Sequence, residues 1–138
     1  MTATVRLDFF KLNVPDLDAA LAFWRAAFGF AVALSFEEAD FVEHIIALPG
    51  HESGPSLALV EWRDGRTINA GSAHGPVGLV CSDIVASEQA ALAAGATRLA
   101  GIVEVGAPEP SVKVAVLRSP QGHEIELIEH LARPAMEN

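Results

Sequence analysis

One short motif occurs twice in this chain. Leu12-Asn13-Val14-Pro15-Asp16 has a counterpart 67 residues on, Leu79-Val80-Cys81-Ser82-Asp83. Ser56-Leu57-Ala58-Leu59-Val60-Glu61 has one 68 residues on, Glu124-Ile125-Glu126-Leu127-Ile128-Glu129. A repeat at this period means one supersecondary unit made twice, with the one-residue drift absorbed in loops. This restricts the fold more than any other feature, because each half must fold the same way. Neither half is long enough to bury a curled sheet alone, so the two sheets are expected to close on each other around a cupped cavity.

Local patterns define the unit. Asp16 after Pro15 is a helix N-cap, and Leu17, Ala20, Leu21, Trp24 and Phe28 recur at helical spacing up to Gly29, a natural stop. A second helix starts near Asp83 or Ser87 and carries Ile84, Ala91, Leu92 and Ala94 before Gly95. Strands are expected over 7–14, 30–36, 41–48 and 56–62, and again over 77–82, 97–105, 112–118 and 124–128, separated by turn clusters such as Pro49-Gly50, Asp64-Gly65 and Pro120-Gln121-Gly122. The order is β-α-β-β-β twice, an α+β fold with a cupped mixed sheet and helices on its outer face. The halves cover about 5–62 and 76–130 of a single domain 1–138, joined by a linker over 63–75.

Composition narrows the function. A net charge of −9 argues against nucleic acid and is compatible with a cationic ligand. No apolar run reaches the roughly 18 residues that span a bilayer, and no secretory signal pattern opens the sequence, so a cytoplasmic protein without membrane contact is expected. Cys81 is the only cysteine, which rules out an internal disulfide, and its apolar setting reads as packing.

The stretch from Leu12 to Trp24, followed by Phe28-Gly29-Phe30, resembles the opening of vicinal-oxygen-chelate proteins, the superfamily of glyoxalase I, bleomycin-resistance proteins and extradiol dioxygenases. The ending Ser119-Pro120-Gln121-Gly122-His123 through Glu129 resembles the superfamily's closing hairpin and final strand. The resemblance implies four cavity-facing metal-ligand positions, two per half, and a homodimer. Here those four positions hold Phe9, Ala58, Pro76 and Glu126. A ring, a methyl and a proline offer no donor, and a divalent ion needs three or four. No metal or other cofactor is therefore expected, although His44 and His74 with Glu126 form a conceivable substitute site.

Strand alternation assigns the cavity lining. Phe9, Lys11 and Asn13 point away from the helix side, as do Ala58 and Trp62 in the fourth strand and Glu124 and Glu126 in the last. With Pro76, these are the candidate ligand-binding residues, and Val112, Val114, Val116 and Arg118 are candidate neighbours. The set is mostly apolar with a few polar groups, as small-molecule sites are. Phe9 and Trp62 either stack a ligand or fill the cup, and Lys11 with Glu126 is open to reading as an ion pair replacing the metal. Glu126 is the one candidate catalytic residue. Three functions compete. The first is metal-independent binding of an aromatic or cationic small molecule. The second is a lyase or isomerase that uses Glu126, with a non-standard metal site or none. The third is a structural or regulatory domain that acts through its surface, with Phe23 and Trp24 of the first helix open to reading as a dimer interface or as core.

Overall fold

The computed structural model describes residues 3–69, 71–106, 109 and 111–131. The chain divides into two compact units, Met1–Asn69 and Ala70–Asn138, with the boundary inside the segment read as a linker. The first contains β1 (Phe9–Asn13), α1 (Leu17–Phe28), β2 (Ala31–Glu37), β3 (Phe41–Ala47) and β4 (Ser56–Trp62). The second contains β5 (Val77–Val80), α2 (Ile84–Ala93), β6 (Thr97–Val105), β7 (Val112–Arg118) and β8 (Glu124–His130). Each unit is therefore βαβββ, an α+β arrangement. Its four strands run in the order β1-β4-β3-β2 or β5-β8-β7-β6. The first and last strands of each unit pair in parallel and the others antiparallel.

The repeated residues have repeated jobs. Asp16 adopts an extended backbone and accepts the Ala19 N–H at 3.0 Å, and Asp83 accepts that of Ala86 at 3.1 Å. Glu61 Oε1 accepts the Leu17 N–H at 2.8 Å, and Glu129 Oε1 accepts the Ile84 N–H at 2.7 Å. Each helix thus begins on an aspartate cap plus a glutamate from the last strand of its own sheet. Together these satisfy first-turn donors that have no partner within the helix, and place negative charge at the positive end of its dipole. We expect Glu61→Ala and Glu129→Ala each to cost about 1–2 kcal/mol, as for a part-buried charge-assisted hydrogen bond. Urea unfolding of the two variants checks this, and a cost near zero at both positions would remove the clamp from the account.

Several boundaries differ from the sequence expectation. Strand β1 begins at Phe9, which pairs with Ser56, the first residue of β4, so Leu7 has no strand beside it. Strand β5 stops at Val80 opposite Ile128, while β8 runs on to His130 opposite Val112. Helix α2 ends at Ala93, one residue ahead of its C-cap Ala94, and it buries Glu88 as well as Ile84 and Ala91. Glu88 is buried because Arg98 of β6 grips it in a fork, with Nε donating at 3.1 Å and Nη2 at 3.0 Å.

On the helix-facing side of the first sheet, Leu12, Val14, Leu57 and Leu59 are buried under α1. Phe23 and Trp24, a pair open to reading as a dimer interface, are both buried and belong to the core. Among the described residues, no helix is long and apolar enough to cross a membrane.

Candidate ligand-binding face

Register fixes which side chains meet on the side of the first sheet away from α1. Lys11 lies beside Ala58 and Asn13 beside Val60, while Ala58, Val60 and Trp62 lie opposite Ile45, Glu43 and Phe41 of β3. Directly paired residues point to the same face. Phe9, Lys11, Asn13, Ala58 and Trp62 therefore share one surface, as strand alternation predicts. Ala58 is fully buried there, so it contributes shape and no accessible contact. Phe9 and Asn13 are exposed and Trp62 is half-buried.

This surface is held by specific contacts. Trp62 Nε1 donates to Asn13 Oδ1 at 2.8 Å, and the Phe41 ring packs 5.3 Å from the indole. Lys11 Nζ stands 5.8 Å above the Phe9 ring and 3.6 Å from Glu43 Oε2. Lys11 thus pairs with Glu43, a residue absent from the sequence expectation. Glu43 is only 5% exposed. A charge so placed needs a partner, and Lys11 reaches it from two strands away.

The equivalent face of the second sheet carries Glu124, Glu126 and Ile128, with Val116 and Arg118 of β7 beside them. Arg118 Nη2 pairs with Glu124 Oε2 at 3.5 Å. Glu126 lies between Gly78 and Val116 and is half-buried. Pro76 is exposed and precedes β5 instead of lying within it.

The metal-ligand positions offer a poor donor set. Among the described residues, no group of three or more His, Cys, Asp or Glu is placed to hold a metal ion. His44 pairs with Leu59, so it points to the helix side of its sheet, away from Phe9 and Ala58, and its Nδ1 lies 2.7 Å from Ser35 Oγ. His74 Nδ1 contacts the Gly75 carbonyl at 3.0 Å. His123 belongs to the closing hairpin, where its N–H donates to Ser119 Oγ at 3.0 Å. These residues do not fit a divalent ion. A cavity of about 320 Å³ opens behind the first sheet at the start of α1, lined in part by Leu17, Ser35, Val42, His44 and Glu61. Burial pushes the Cys81 thiol above its usual pKa, and its Sγ lies 3.6 Å from the Ile128 carbonyl, which favours packing over nucleophilic chemistry.

Two βαβββ units, each with its helix clamped at the N-terminus and the opposite sheet face carrying the family's site positions, define a glyoxalase-like protein of the vicinal-oxygen-chelate superfamily. A family model for the glyoxalase-like domain matches residues 9–128, and the chain belongs to that family. Glyoxalase I from Zea mays superposes with a TM-score of 0.80 at 16% identity, over 94% of this chain and 46% of that one. This protein therefore spans less than half the length of the maize enzyme. A glyoxalase family protein from Bacillus cereus gives 0.81 at 18% identity, over 95% of this chain and 97% of that one. A glyoxylase/bleomycin resistance protein/dioxygenase domain from a Frankia species gives 0.72 at 18%, over 96% of both chains. At such identities the likeness concerns the fold alone. No curated protein matches the sequence.

Proposed function

We propose that this protein binds a small aromatic or cationic molecule without a divalent metal and without turning it over. The observation that carries the reading is the pairing of Phe9 and Ala58 at metal-ligand positions with a fixed indole, Trp62, on the same face. A ring held by a hydrogen bond and a second aromatic is pre-organised for stacking, so little ordering cost remains on binding. Pro76, Glu124 and Glu126 on the second unit are candidate ligand contacts in their own right. Protein purified without chelator is expected to hold less than about 0.1 equivalent of any transition metal, since too few donors are placed to retain one. A panel of aromatic and cationic compounds is expected to raise the melting temperature of the wild type, and Trp62→Ala is expected to lose that response. Near one equivalent of metal, lost on Glu126→Ala, would sink the proposal.

One observation favours a second reading. Glu126 has no ion-pair or hydrogen-bond partner among the described residues, so its carboxylate is free to act as a general base on a small carbonyl substrate. Turnover abolished by Glu126→Gln with binding retained would select this reading over the first.

We also propose a cytoplasmic homodimer. A lone free thiol stays reduced in the cytoplasm. Val32, Leu34 and Phe36 on β2 and Leu99, Val103 and Val105 on β6 are exposed apolar residues of the kind that subunit contacts cover. Light scattering at low micromolar concentration should give twice the chain mass of 14.5 kDa, and a monomer at that concentration would refute the dimer.

A further inference from the structure

The Asp64-Gly65 turn falls in the segment whose composition reads as a linker, yet it places a side chain against β4. Gly65 sits at φ 87, a conformation that L side chains rarely adopt, and nothing lies within 4 Å of where its Cβ would be. The turn sends Arg66 back over β4, where its guanidinium carbon lies 3.5 Å from the centroid of the Trp62 ring, a stacking distance. Asp64 receives the same guanidinium in a fork, with Nη2 donating to Oδ2 at 2.6 Å and Nε to Oδ1 at 3.0 Å. The Arg66 hydrogen bonds keep the Asp64 carboxyl below its ordinary pKa. The ring itself is fixed by Asn13 and Phe41.

An aromatic face and a forked carboxylate make up what a planar cation needs. Here the chain's own side chain fills that place, and it does so at the surface. The Arg66 and Asp64 side chains are 45% and 29% exposed, so water and solutes reach both. Exposed pairs of this kind are weak and exchange readily.

We infer that Trp62 and Asp64 form a receptor for an amidinium or guanidinium group, which Arg66 occupies in the free protein and vacates when such a ligand binds. The inference rests on the ligand-binding reading above and adds the chemistry of the group recognised and a built-in competitor for it. A competitor lowers apparent affinity by the fraction of time it leaves the place open.

The test is calorimetric titration of benzamidinium, and of its neutral analogue benzamide, into the wild type, Arg66→Ala and the double variant Arg66→Ala/Asp64→Asn. Arg66→Ala is expected to bind benzamidinium about tenfold more tightly than the wild type. Benzamide should not share the gain, and Asp64→Asn should abolish it. Equal benzamidinium affinity in the wild type and Arg66→Ala, or no binding to Arg66→Ala, would overturn the inference. So would an equal gain for benzamide, because the platform would then select rings and not cations. If panel compounds still stabilise the wild type through Trp62 while the benzamidinium arm fails, this inference falls alone. If Trp62→Ala leaves every panel response unchanged, the ligand-binding reading falls instead.

Discussion

Trp24→Ala is expected to cost about 3–5 kcal/mol of stability, the range for truncating a large aromatic in a packed core. Trp24 has no exposed surface. Its ring lies 5.6 Å from that of Phe23, 5.7 Å from Phe28 and 5.5 Å from Phe30, with edge-on geometry to Phe23 and Phe30. Truncation empties the centre of this cluster, and the surrounding rings, fixed on α1 and at its exit, have little freedom to collapse into the space. In thermal unfolding the loss should lower the midpoint by about 10–20 °C. Trp24→Phe is the informative control. The indole Nε1 is buried without a hydrogen-bond partner among the described residues, so the smaller ring loses volume while removing an unsatisfied donor. The two effects oppose, and Trp24→Phe should stay within about 1.5 kcal/mol of the wild type. A cost below about 1 kcal/mol for Trp24→Ala would mean that the cluster is not the core of its unit.

The parts of this fold that were legible in the sequence are those set by local chemistry. Asp16, Gly29 and the apolar stripe between them mark α1 without any knowledge of its surroundings, because a cap and a left-handed stop act within one helical turn. The face of β1 was legible for a similar reason, since Leu12 and Val14 alternate with Lys11 and Asn13. Strand β3 was not. Phe41, Val42, Ile45 and Ile46 put apolar residues on both sides, so a period of two has no phase there. His44 therefore entered a conceivable metal set that its actual face excludes, and Glu43, one residue away, was passed over. The pairs Lys11–Glu43 and Glu88–Arg98 join separate elements, and only strand register or helix packing brings them together. Arg66 belongs to no periodic segment. Its place over Trp62 goes with a left-handed turn at Gly65 and the Asp64 fork, which a linker composition does not reveal.

The Lys11–Glu43 pair should respond asymmetrically to truncation, because its members differ in burial. The Glu43 side chain is 6% exposed and that of Lys11 47%. Lys11→Met leaves a carboxylate in the sheet without its cation. Breaking a fully buried pair this way costs about 3–5 kcal/mol, and the half-exposed lysine at 3.6 Å brings the expectation down to about 2 kcal/mol. Glu43→Leu leaves only an ammonium that water can reach, and should cost less than about 1 kcal/mol. Lys11→Met/Glu43→Leu removes both charges and adds apolar volume, so it should recover to within about 1 kcal/mol of the wild type. Urea unfolding of the three variants closes the thermodynamic cycle. Equal costs for the two single variants, or a double variant worse than Lys11→Met, would show that the pair does not answer to the burial of Glu43. The same variants separate structure from recognition. A folded double variant that binds the same panel compounds as the wild type confines Lys11 to neutralising Glu43. One that stays folded but binds more weakly makes the Lys11 ammonium, beside Phe9, a contact of the ligand itself.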